Sequence, residues 1–175
     1  MARRRERSSF AQALLASNAV AVTIRRFDSH CLALKVVMLE IPGKACGTCY
    51  FCCKVLEIEE MKKTAGKLCE HCVTTGGCGI YSTRPQVCRD YHCQWKEDRG
   101  LPATMRPDKV GTLLMDDPDS DEYHAVCDPE KPFSWRNPLV FKHLVAEAKA
   151  GRMVVAKAGL RAWRIYADGH WQESA

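Results

Sequence analysis

The second half of the chain alternates short apolar runs with turn residues, which predicts strands around one helix. Residues 110–115 and 123–127 are apolar runs on either side of an Asp-rich turn and predict a β-hairpin. An Asn-Pro pair opens residues 137–150, where apolar side chains recur at helical spacing. Residues 153–158 and 161–166 predict a second hairpin. We therefore expect a β-β-α-β-β order, with a small antiparallel sheet covered by one helix.

The first half has shorter patterns. Apolar residues at near-helical spacing predict one amphipathic helix over residues 54–67. A second helix is predicted with Pro85 in its first turn, which places Cys88 on the helix and Cys93 near its end. Residues 95–107 contain one glycine and two prolines and predict a polar connector.

A few side chains outside these patterns receive structural roles. Trp135 and Trp163 are expected to pack in the core or at its edge, and Cys127 is expected to be a small buried residue. The aspartates of residues 116–121 resemble a calcium loop only superficially, because the glycine and the distal glutamate of such a loop are missing. We expect a solvated turn there.

Cysteine is concentrated in one stretch of the chain. Nine of the eleven cysteines lie within residues 46–93, which begin with C-x-x-C-x-x-C-C and continue with a second C-x-x-C. A C-x-x-C turn lets two sulfurs converge on one ion at a Zn–S distance of about 2.3 Å. These nine cysteines are the candidate metal ligands: Cys46, Cys49, Cys52, Cys53, Cys69, Cys72, Cys78, Cys88 and Cys93.

Cys52 and Cys53 are adjacent in the chain, so their side chains point in different directions in most conformations. They are therefore not expected to bind one mononuclear ion together. Two interpretations remain open: two metals share the region, or one of the pair packs as a small apolar residue. Arg84 and Arg89 are expected to lie beside thiolates. Neutralising the negative charge of the thiolates is favoured as their role over binding an anionic substrate. His71 is expected to face outward, and His92 is expected to pack or to form a hydrogen bond to a ligand rather than to coordinate.

Together the patterns predict an α+β protein with three parts. A small loop-rich, cysteine-built metal-binding module is expected over residues 38–98, and the α+β region over 99–175 is expected to pack on it. Residues 1–37 differ in composition and predict a basic N-terminal extension. That extension is interpreted as sequence upstream of a true start at Met38, as a basic amphipathic arm, or as an organellar presequence.

The charge of the chain is located mainly at its beginning. The net charge is +5, and residues 1–30 supply +4 of it. The nearly neutral remainder gives no electrostatic basis for binding nucleic acid, so no nucleic-acid partner is expected. The sequence shows no convincing secretory signal and no membrane-spanning run, which predicts a cytoplasmic protein with reduced thiols. Reduced cysteines favour metal over disulfides, which stay the minor alternative.

The spacing of the cysteines resembles a known family. C-x-x-C-x-x-C-C, a later cysteine cluster and C-x-I-Y-x-x-R-P-x-x-C-R with a final cysteine are similar to the CxxCxxCC or YkgJ-type family of zinc- or iron-chelating proteins. The cysteine region of that family also occurs in flagellin lysine-N-methylases. The resemblance covers about a quarter of the chain and includes Tyr81, Arg84, Pro85 and Arg89. Eight cysteines match, and Cys72 lies outside that pattern, so whether Cys69 or Cys72 is the ligand stays open.

The resemblance implies metal chelation, with the metal itself left between two choices. Eight thiolates suit two tetrahedral Zn²⁺ ions, which are slightly preferred, whereas four suit one iron–sulfur cluster. The leading function is therefore a metal-binding protein, with a protein partner as a further expectation. The alternatives are an iron–sulfur enzyme related to protein lysine N-methylases and a thiol redox protein. Against the enzyme, the chain has no glycine-rich turn after a strand for a nucleoside cofactor.

Overall fold

Short helices and turns form the first half of the chain. The structure is a computed structural model that describes residues 41–73, 75–117 and 120–174. The predicted N-terminal extension over residues 1–37 lies outside these ranges. The elements of this half are α1 (Phe51–Val55), β1 (Cys72–Val73), β2 (Gly77–Cys78), α2 (Gln86–Asp90), α3 (Gln94–Glu97) and α4 (Pro107–Val110).

The single helix predicted over residues 54–67 is wrong. Helix α1 ends at Val55, and only a 3₁₀ turn, Glu59–Met61, follows it. The ammonium of Lys63 donates hydrogen bonds to the carbonyls of Lys54 and Leu56, which a continuing helix would have used for its own backbone. A side chain that approaches from later in the chain therefore ends the helix.

Two further predictions for the first half need correction. Helix α2 holds Cys88 as predicted, but it ends at Asp90, and Cys93 immediately precedes α3 instead of ending α2. Residues 95–107 are not a polar connector. They contain α3 and a 3₁₀ turn, and Trp95, Leu101 and Met105 are buried in the main core. Three large apolar side chains spaced along a polar stretch anchor it to the sheet.

A five-stranded sheet with one long helix forms the second half. Its elements are β3 (Thr112–Asp116), β4 (Glu122–Cys127), α5 (Pro138–Lys149), β5 (Met153–Ala158), β6 (Arg161–Ile165) and β7 (Trp171–Ser174). The predicted β-β-α-β-β order is confirmed, with β7 added at its end, and the protein is α+β. The strand order is β3-β4-β5-β6-β7.

The sheet is mixed rather than antiparallel as predicted. Strands β4 and β5 are parallel, with Tyr123 opposite Val154 and Ala125 opposite Ala156, whereas the other neighbouring pairs are antiparallel. Helix α5 lies between β4 and β5 in the chain and returns the chain to the end of the sheet at which β4 begins. A helical crossover of this kind makes its two strands parallel.

The main core lies between α5 and the sheet. Helix α5 begins at an Asn137 cap, whose side-chain oxygen accepts a hydrogen bond from the N–H of Leu139 at 3.0 Å. Val140 and Leu144 are fully buried on the helix. The indoles of Trp135 and Trp163 pack with ring centroids 5.9 Å apart, and both are fully buried together with Cys127. The structural roles predicted for these last three residues are confirmed.

Strand β3 faces two clusters at once, because successive side chains of a strand point to opposite faces. Leu114 belongs to the main core, whereas Leu113 packs with Phe51 and Val55 of α1. An ion pair between Lys54 of α1 and Asp128, with N–O distance 2.5 Å, lies alongside. The sheet therefore positions α1, on which two of the candidate ligands lie. The predicted boundary between residues 98 and 99 stays a prediction.

Candidate metal centre

Two C-x-x-C turns fold the cysteine region. The N–H of Cys49 donates to the carbonyl of Cys46 at 2.8 Å, and the N–H of Cys72 donates to the carbonyl of Cys69 at 3.0 Å. Each hydrogen bond curls the backbone between the two cysteines of its motif. The N–H of Cys69 also donates to the carbonyl of Cys53 at 3.0 Å, which fastens the second turn to α1.

The β1–β2 hairpin, which follows the second turn, approaches the first turn at a glycine. Gly77 opens β2 with a φ of +81°, and a Cβ placed there would overlap the backbone carbonyl of Gly47 in the first turn. Only glycine combines that backbone angle with so close an approach. The β1–β2 hairpin can therefore lie directly against the first C-x-x-C turn.

A cavity of about 150 Å³ lies where these loops meet. Protein interiors rarely contain spaces larger than a water molecule, so a cavity of this size among closely spaced loops points to a binding site. Its wall includes apolar side chains such as Leu56, Ile80 and Leu113. The cysteines that line it are Cys46, Cys49, Cys52, Cys53, Cys69, Cys78, Cys88 and Cys93.

These eight are the cysteines of the family pattern. Cys72 does not line the cavity, but its thiol is hydrogen-bonded to Cys53. None of the ten described cysteines forms a disulfide. The structure therefore brings eight of the nine predicted ligands to one cavity and places the ninth beside it.

In and beside the cavity, the sulfurs fall into two sets whose members influence one another's pKa values, and the hydrogen bond between Cys52 and Cys53 links the two sets. The first thiol group is Cys46, Cys49, Cys52 and Cys93. The second thiol group is Cys53, Cys69, Cys72, Cys78 and Cys88. Cys52 and Cys53 lie one residue apart on α1, about 100° apart around its axis, and belong to different groups.

Burial is the main influence on the pKa values of Cys49 and Cys93 in the first thiol group. It raises the pKa of Cys49 to about 11 and, with smaller contributions from neighbouring groups, also raises the pKa of Cys93. The thiol of Cys49 donates a hydrogen bond to Asp108. Although burial opposes it, an ion pair with Arg106 at 2.6 Å holds the pKa of Asp108 below its usual range.

The second thiol group contains the most acidic thiol. A hydrogen bond from Cys52 lowers the pKa of Cys53 to about 7, with further help from Lys63 and against the effect of burial. The same hydrogen bond and burial raise the pKa of Cys52. Burial raises the pKa of Cys72 to about 11 and raises that of Cys88 as well. Metal uptake by these thiols would therefore release protons.

The sulfurs are near one another without being gathered at coordination distance. Four thiolates around one Zn²⁺ at about 2.3 Å lie about 3.8 Å apart. In the described ranges, no three of the cysteine sulfurs all lie within 4.8 Å of one another. Binding an ion would require side-chain rotation into the cavity, which the flexible Cα–Cβ bond of cysteine permits.

A different cluster does meet that distance. Within residues 41–73, 75–117 and 120–174 it is formed by Asp117, Glu122 and His124. His124 Nε2 lies 2.8 Å from Glu122 Oε2 and 3.4 Å from Asp117 Oδ2. The sequence interpretation overlooked this cluster, although Glu122 and His124 are two residues apart on β4 and so share one face. His124 therefore contacts both carboxylates.

Cations surround the thiols, and two of them are lysines that the sequence interpretation missed. Lys44 and Lys63 are both buried although they carry charge. Lys44 Nζ donates to the carbonyls of Asp98 at 2.9 Å and of Leu101, and it lies 4.9 Å from the ring centroid of Trp95. A lysine buried against backbone carbonyls beside thiols is a signal that only the fold reveals.

The residues predicted to flank the thiols behave differently from one another. Arg84 lines the cavity, whereas Arg89 is exposed and donates to Gln86 at 2.7 Å, so it does not lie beside the thiols as predicted. His71 and His92 also line the cavity. A ring nitrogen of each histidine lies 3.6 Å from a glutamate oxygen, which fits packing beside the cavity rather than coordination of a metal.

Comparison with family models, with curated proteins and with solved structures finds no significant match for this chain. The resemblance to the CxxCxxCC family therefore stays a prediction that depends on the motif residues. None of the helices within residues 41–73, 75–117 and 120–174 combines the length and the apolar character of a membrane-spanning segment.

Proposed function

We propose that this protein binds two metal ions through its clustered thiolates, with Zn²⁺ preferred and iron as the second choice. The observation that supports this most directly is the set of eight cysteines lining one cavity. They come from the turn before α1, from α1, β2 and α2, and from the loops up to the start of α3, so an ion held by them would join segments that are distant in the chain. The donor set fits soft or borderline metals, which thiolate prefers.

The division of the thiols supports two ions rather than one. The first thiol group supplies four sulfurs, the number that a closed tetrahedral zinc site uses. The second supplies five, so one is spare, and Cys72 is the sulfur that does not line the cavity. We therefore favour Cys53, Cys69, Cys78 and Cys88 as the second set of ligands.

The small core around the thiols gives the metal a structural role. In the described part before Trp95, only Phe51, Val55 and Cys69 are buried apolar residues. So few buried groups leave a loop-rich region marginal, and bound metal contributes its binding free energy to folding. We propose that the ions stabilise this region and, because such sites persist where thiols are reduced, that the protein works in the cytoplasm.

A thiol redox function is the second candidate, and one observation favours it. Cys53 has a pKa of about 7 and is hydrogen-bonded to both Cys52 and Cys72. A thiolate at neutral pH beside a second thiol has the arrangement required for thiol–disulfide exchange. Bound metal would occupy Cys53, so the two functions predict different states of the same sulfur.

Metal content distinguishes these functions. Protein isolated without oxygen and without an affinity-tag metal should contain about two zinc ions per chain and show no visible colour. Iron with sulfide and a visible chromophore would favour an iron–sulfur cluster instead. Absence of metal, together with a Cys53 thiol that alkylates rapidly at pH 7, would favour the redox function and reject metal binding.

Single cysteine variants test the division into two groups. Cys46→Ser and Cys78→Ser should each lower the zinc content from about two to about one, because each removes a ligand of a different group. Cys127→Ala is the matched control, since Cys127 is buried but lies outside the cavity. Equal zinc content in all three variants would contradict the assignment.

A further inference from the structure

Asp117, Glu122 and His124 bring possible metal donors together at one end of the β3–β4 hairpin. The N–H of Asp117 donates to the carbonyl of Glu122 at 3.0 Å, which continues the pairing of the two strands beyond Asp116. Asp117 and Glu122 are therefore opposite one another, and residues in that position point to the same face of a sheet. His124 lies two residues after Glu122 on β4 and shares that face.

The facing carboxylates need a cation between them. Like charges directly opposite one another destabilise a sheet. Lys157 Nζ lies 4.0 Å from Glu122 Oε2, but the lysine side chain is 41% exposed, and exposed ion pairs contribute little. Arg152, at the same end of the sheet, is paired with Asp116 and Glu147. A cation bound by both facing carboxylates would remove their repulsion.

The donor atoms of the three side chains already have the spacing that a metal ion requires. His124 Nε2 lies 2.8 Å from Glu122 Oε2 and 3.4 Å from Asp117 Oδ2, and all three atoms lie within 4.8 Å of one another. An ion bound at about 2.1 Å holds neighbouring nitrogen and oxygen donors about 3.0–3.4 Å apart. Unlike the cavity thiols, these atoms therefore need little side-chain rotation to share one ion.

The sheet fixes the histidine and leaves the carboxylates accessible to water. The side chain of His124 is 6% exposed, and its neighbours on the adjacent strands are Met115 and Val155. The side chains of Asp117 and Glu122 are 22% and 31% exposed. A ring nitrogen held on a central strand is preorganised for binding, and water can complete the coordination of an ion from the exposed side.

We propose that Asp117, Glu122 and His124 bind a divalent transition-metal ion at a site separate from the thiols. One imidazole nitrogen and two carboxylate oxygens are harder donors than thiolates, and such a set suits Mn²⁺ or Fe²⁺. Three protein ligands leave coordination positions for water, unlike a closed structural site. The site also differs from a calcium loop, because its ligands belong to a paired hairpin and include a ring nitrogen. This inference does not depend on the proposed thiol sites.

The test is a titration of the full chain with Mn²⁺, after about two equivalents of Zn²⁺ have been added for the thiols. The electron paramagnetic resonance signal of free aqueous Mn²⁺ falls as the ion binds, so it measures stoichiometry and affinity. We expect about one Mn²⁺ per chain. Loss of an outer-sphere partner already lowers metal affinity about 10–100-fold, so loss of a ligand in Asp117→Asn, Glu122→Gln or His124→Gln should weaken Mn²⁺ binding by at least that factor.

Matched controls separate this site from other acidic and thiol groups. Asp121 is an exposed carboxylate of the same turn and His170 is an exposed histidine after β6. Asp121→Asn and His170→Gln should leave Mn²⁺ affinity unchanged. Cys46→Ser should lower zinc content without changing Mn²⁺ binding, and Glu122→Gln should do the reverse. Failure of the proposed thiol sites would therefore show in the zinc content and leave the Mn²⁺ result intact.

Thermal unfolding distinguishes a metal site from a histidine that is ion-paired with its neighbours. If the facing carboxylates repel one another until an ion binds, Asp117→Asn should raise the melting temperature of the Mn²⁺-free protein. Added Mn²⁺ should then raise the melting temperature of the unaltered protein but not that of the variant.

Two results would overturn the inference. Absence of saturable Mn²⁺ binding would reject the site, and a melting temperature lowered by Asp117→Asn would then identify an ion-paired histidine. Equal weakening of Mn²⁺ binding by Asp121→Asn and Glu122→Gln would show that exposed acidic groups of the turn hold the ion without a defined site. Should His124→Gln fail to fold, the variants of the two partly exposed carboxylates still decide the outcome.

Discussion

Leu113 offers a direct test of how the sheet supports the cysteine region. It is 1% exposed and packs on Phe51 and Val55, whereas its neighbour Leu114 is 2% exposed and packs in the main core. Truncating either leucine to alanine removes three buried carbons, or about 2.4 kcal/mol at about 0.8 kcal/mol per carbon. The residual cavity raises the expected loss to about 3 kcal/mol, within the range of about 2–5 for buried leucines.

The two truncations should differ in their effect on metal. The cluster around Leu113 has few members, so Leu113→Ala removes much of what holds α1 in place. If the cysteine region opens locally, up to about 3 kcal/mol of the lost stability lowers the free energy of metal binding, which corresponds to about 100-fold in affinity. Leu114→Ala takes a similar free energy from a much larger cluster. We expect at most about a threefold change in its metal affinity.

Urea unfolding followed by tryptophan fluorescence measures the free energy of unfolding, and chelator competition measures zinc affinity. Both are carried out on Leu113→Ala, Leu114→Ala and the unaltered protein at one zinc concentration. Equal loss of zinc affinity in the two variants would refute the idea that β3 holds the two clusters separately. A loss of stability below about 1 kcal/mol for Leu113→Ala would show that the contact with α1 contributes little.

Three further predictions concern other positions. Gly77→Ala places a Cβ against the Gly47 carbonyl at a positive φ, so it should disturb both thiol groups and lower the zinc content measured by elemental analysis. Gly43→Ala is the control, because a Cβ at Gly43 has nothing within 4 Å, and it should leave the zinc content unchanged. Full zinc content in Gly77→Ala would contradict the close approach. Asn137→Ala should lower the free energy of unfolding in urea by about 1 kcal/mol, because it removes the cap of α5. Asn137→Asp keeps a side-chain oxygen that can cap the helix, so its stability should match that of the unaltered protein; equal stability of all three proteins would show that the cap contributes little. Burial lowers the pKa of His143 in the folded protein, so as pH falls the unfolded chain takes up this proton first. The free energy of unfolding should therefore decrease as pH drops from about 6.5 through the folded pKa. His143→Gln should flatten this part of the dependence of stability on pH, and an unchanged slope would exclude His143 as the cause of that dependence.

The regular half of the fold could be predicted because its signals are local. The Asn-Pro start of α5 and the alternating runs of β3 to β6 depend on residues close in sequence, and these elements are found within a residue or two of their predicted bounds. The parallel pairing of β4 with β5 was missed, since a hydrophobic pattern does not state which neighbour a strand pairs with. Strand β7 is exposed along its length and lacks an apolar run to mark it.

The first half was harder because tertiary contacts decide its local structure. The pattern over residues 54–67 does have helical spacing, but Lys63 takes the carbonyls of Lys54 and Leu56 and stops α1 at Val55. The spacing of the nine cysteines is enough to make them candidate ligands. Their partners could not be predicted in this way, because the loops that bring Cys93 beside Cys46, or Cys88 beside Cys69, are specified by contacts between distant residues.

The adjacent cysteines explain why one cavity would hold two ions rather than one larger site. Helix α1 turns by about 100° per residue, so the Cα–Cβ bonds of Cys52 and Cys53 leave the helix in different directions, although both thiols line the cavity and Cys52 donates a hydrogen bond to Cys53. Phe51 and Val55 anchor this short helix against the sheet. In the proposed arrangement of two ions, each adjacent thiol would serve as the last ligand of a different set, and α1 would fix the spacing between the ions. An apolar role for either cysteine would leave its group with three cavity-lining sulfurs and an open coordination position. Whether both cysteines of the C-C pair bind metal therefore decides between two closed structural sites and a site with an open coordination position at which a reaction could occur.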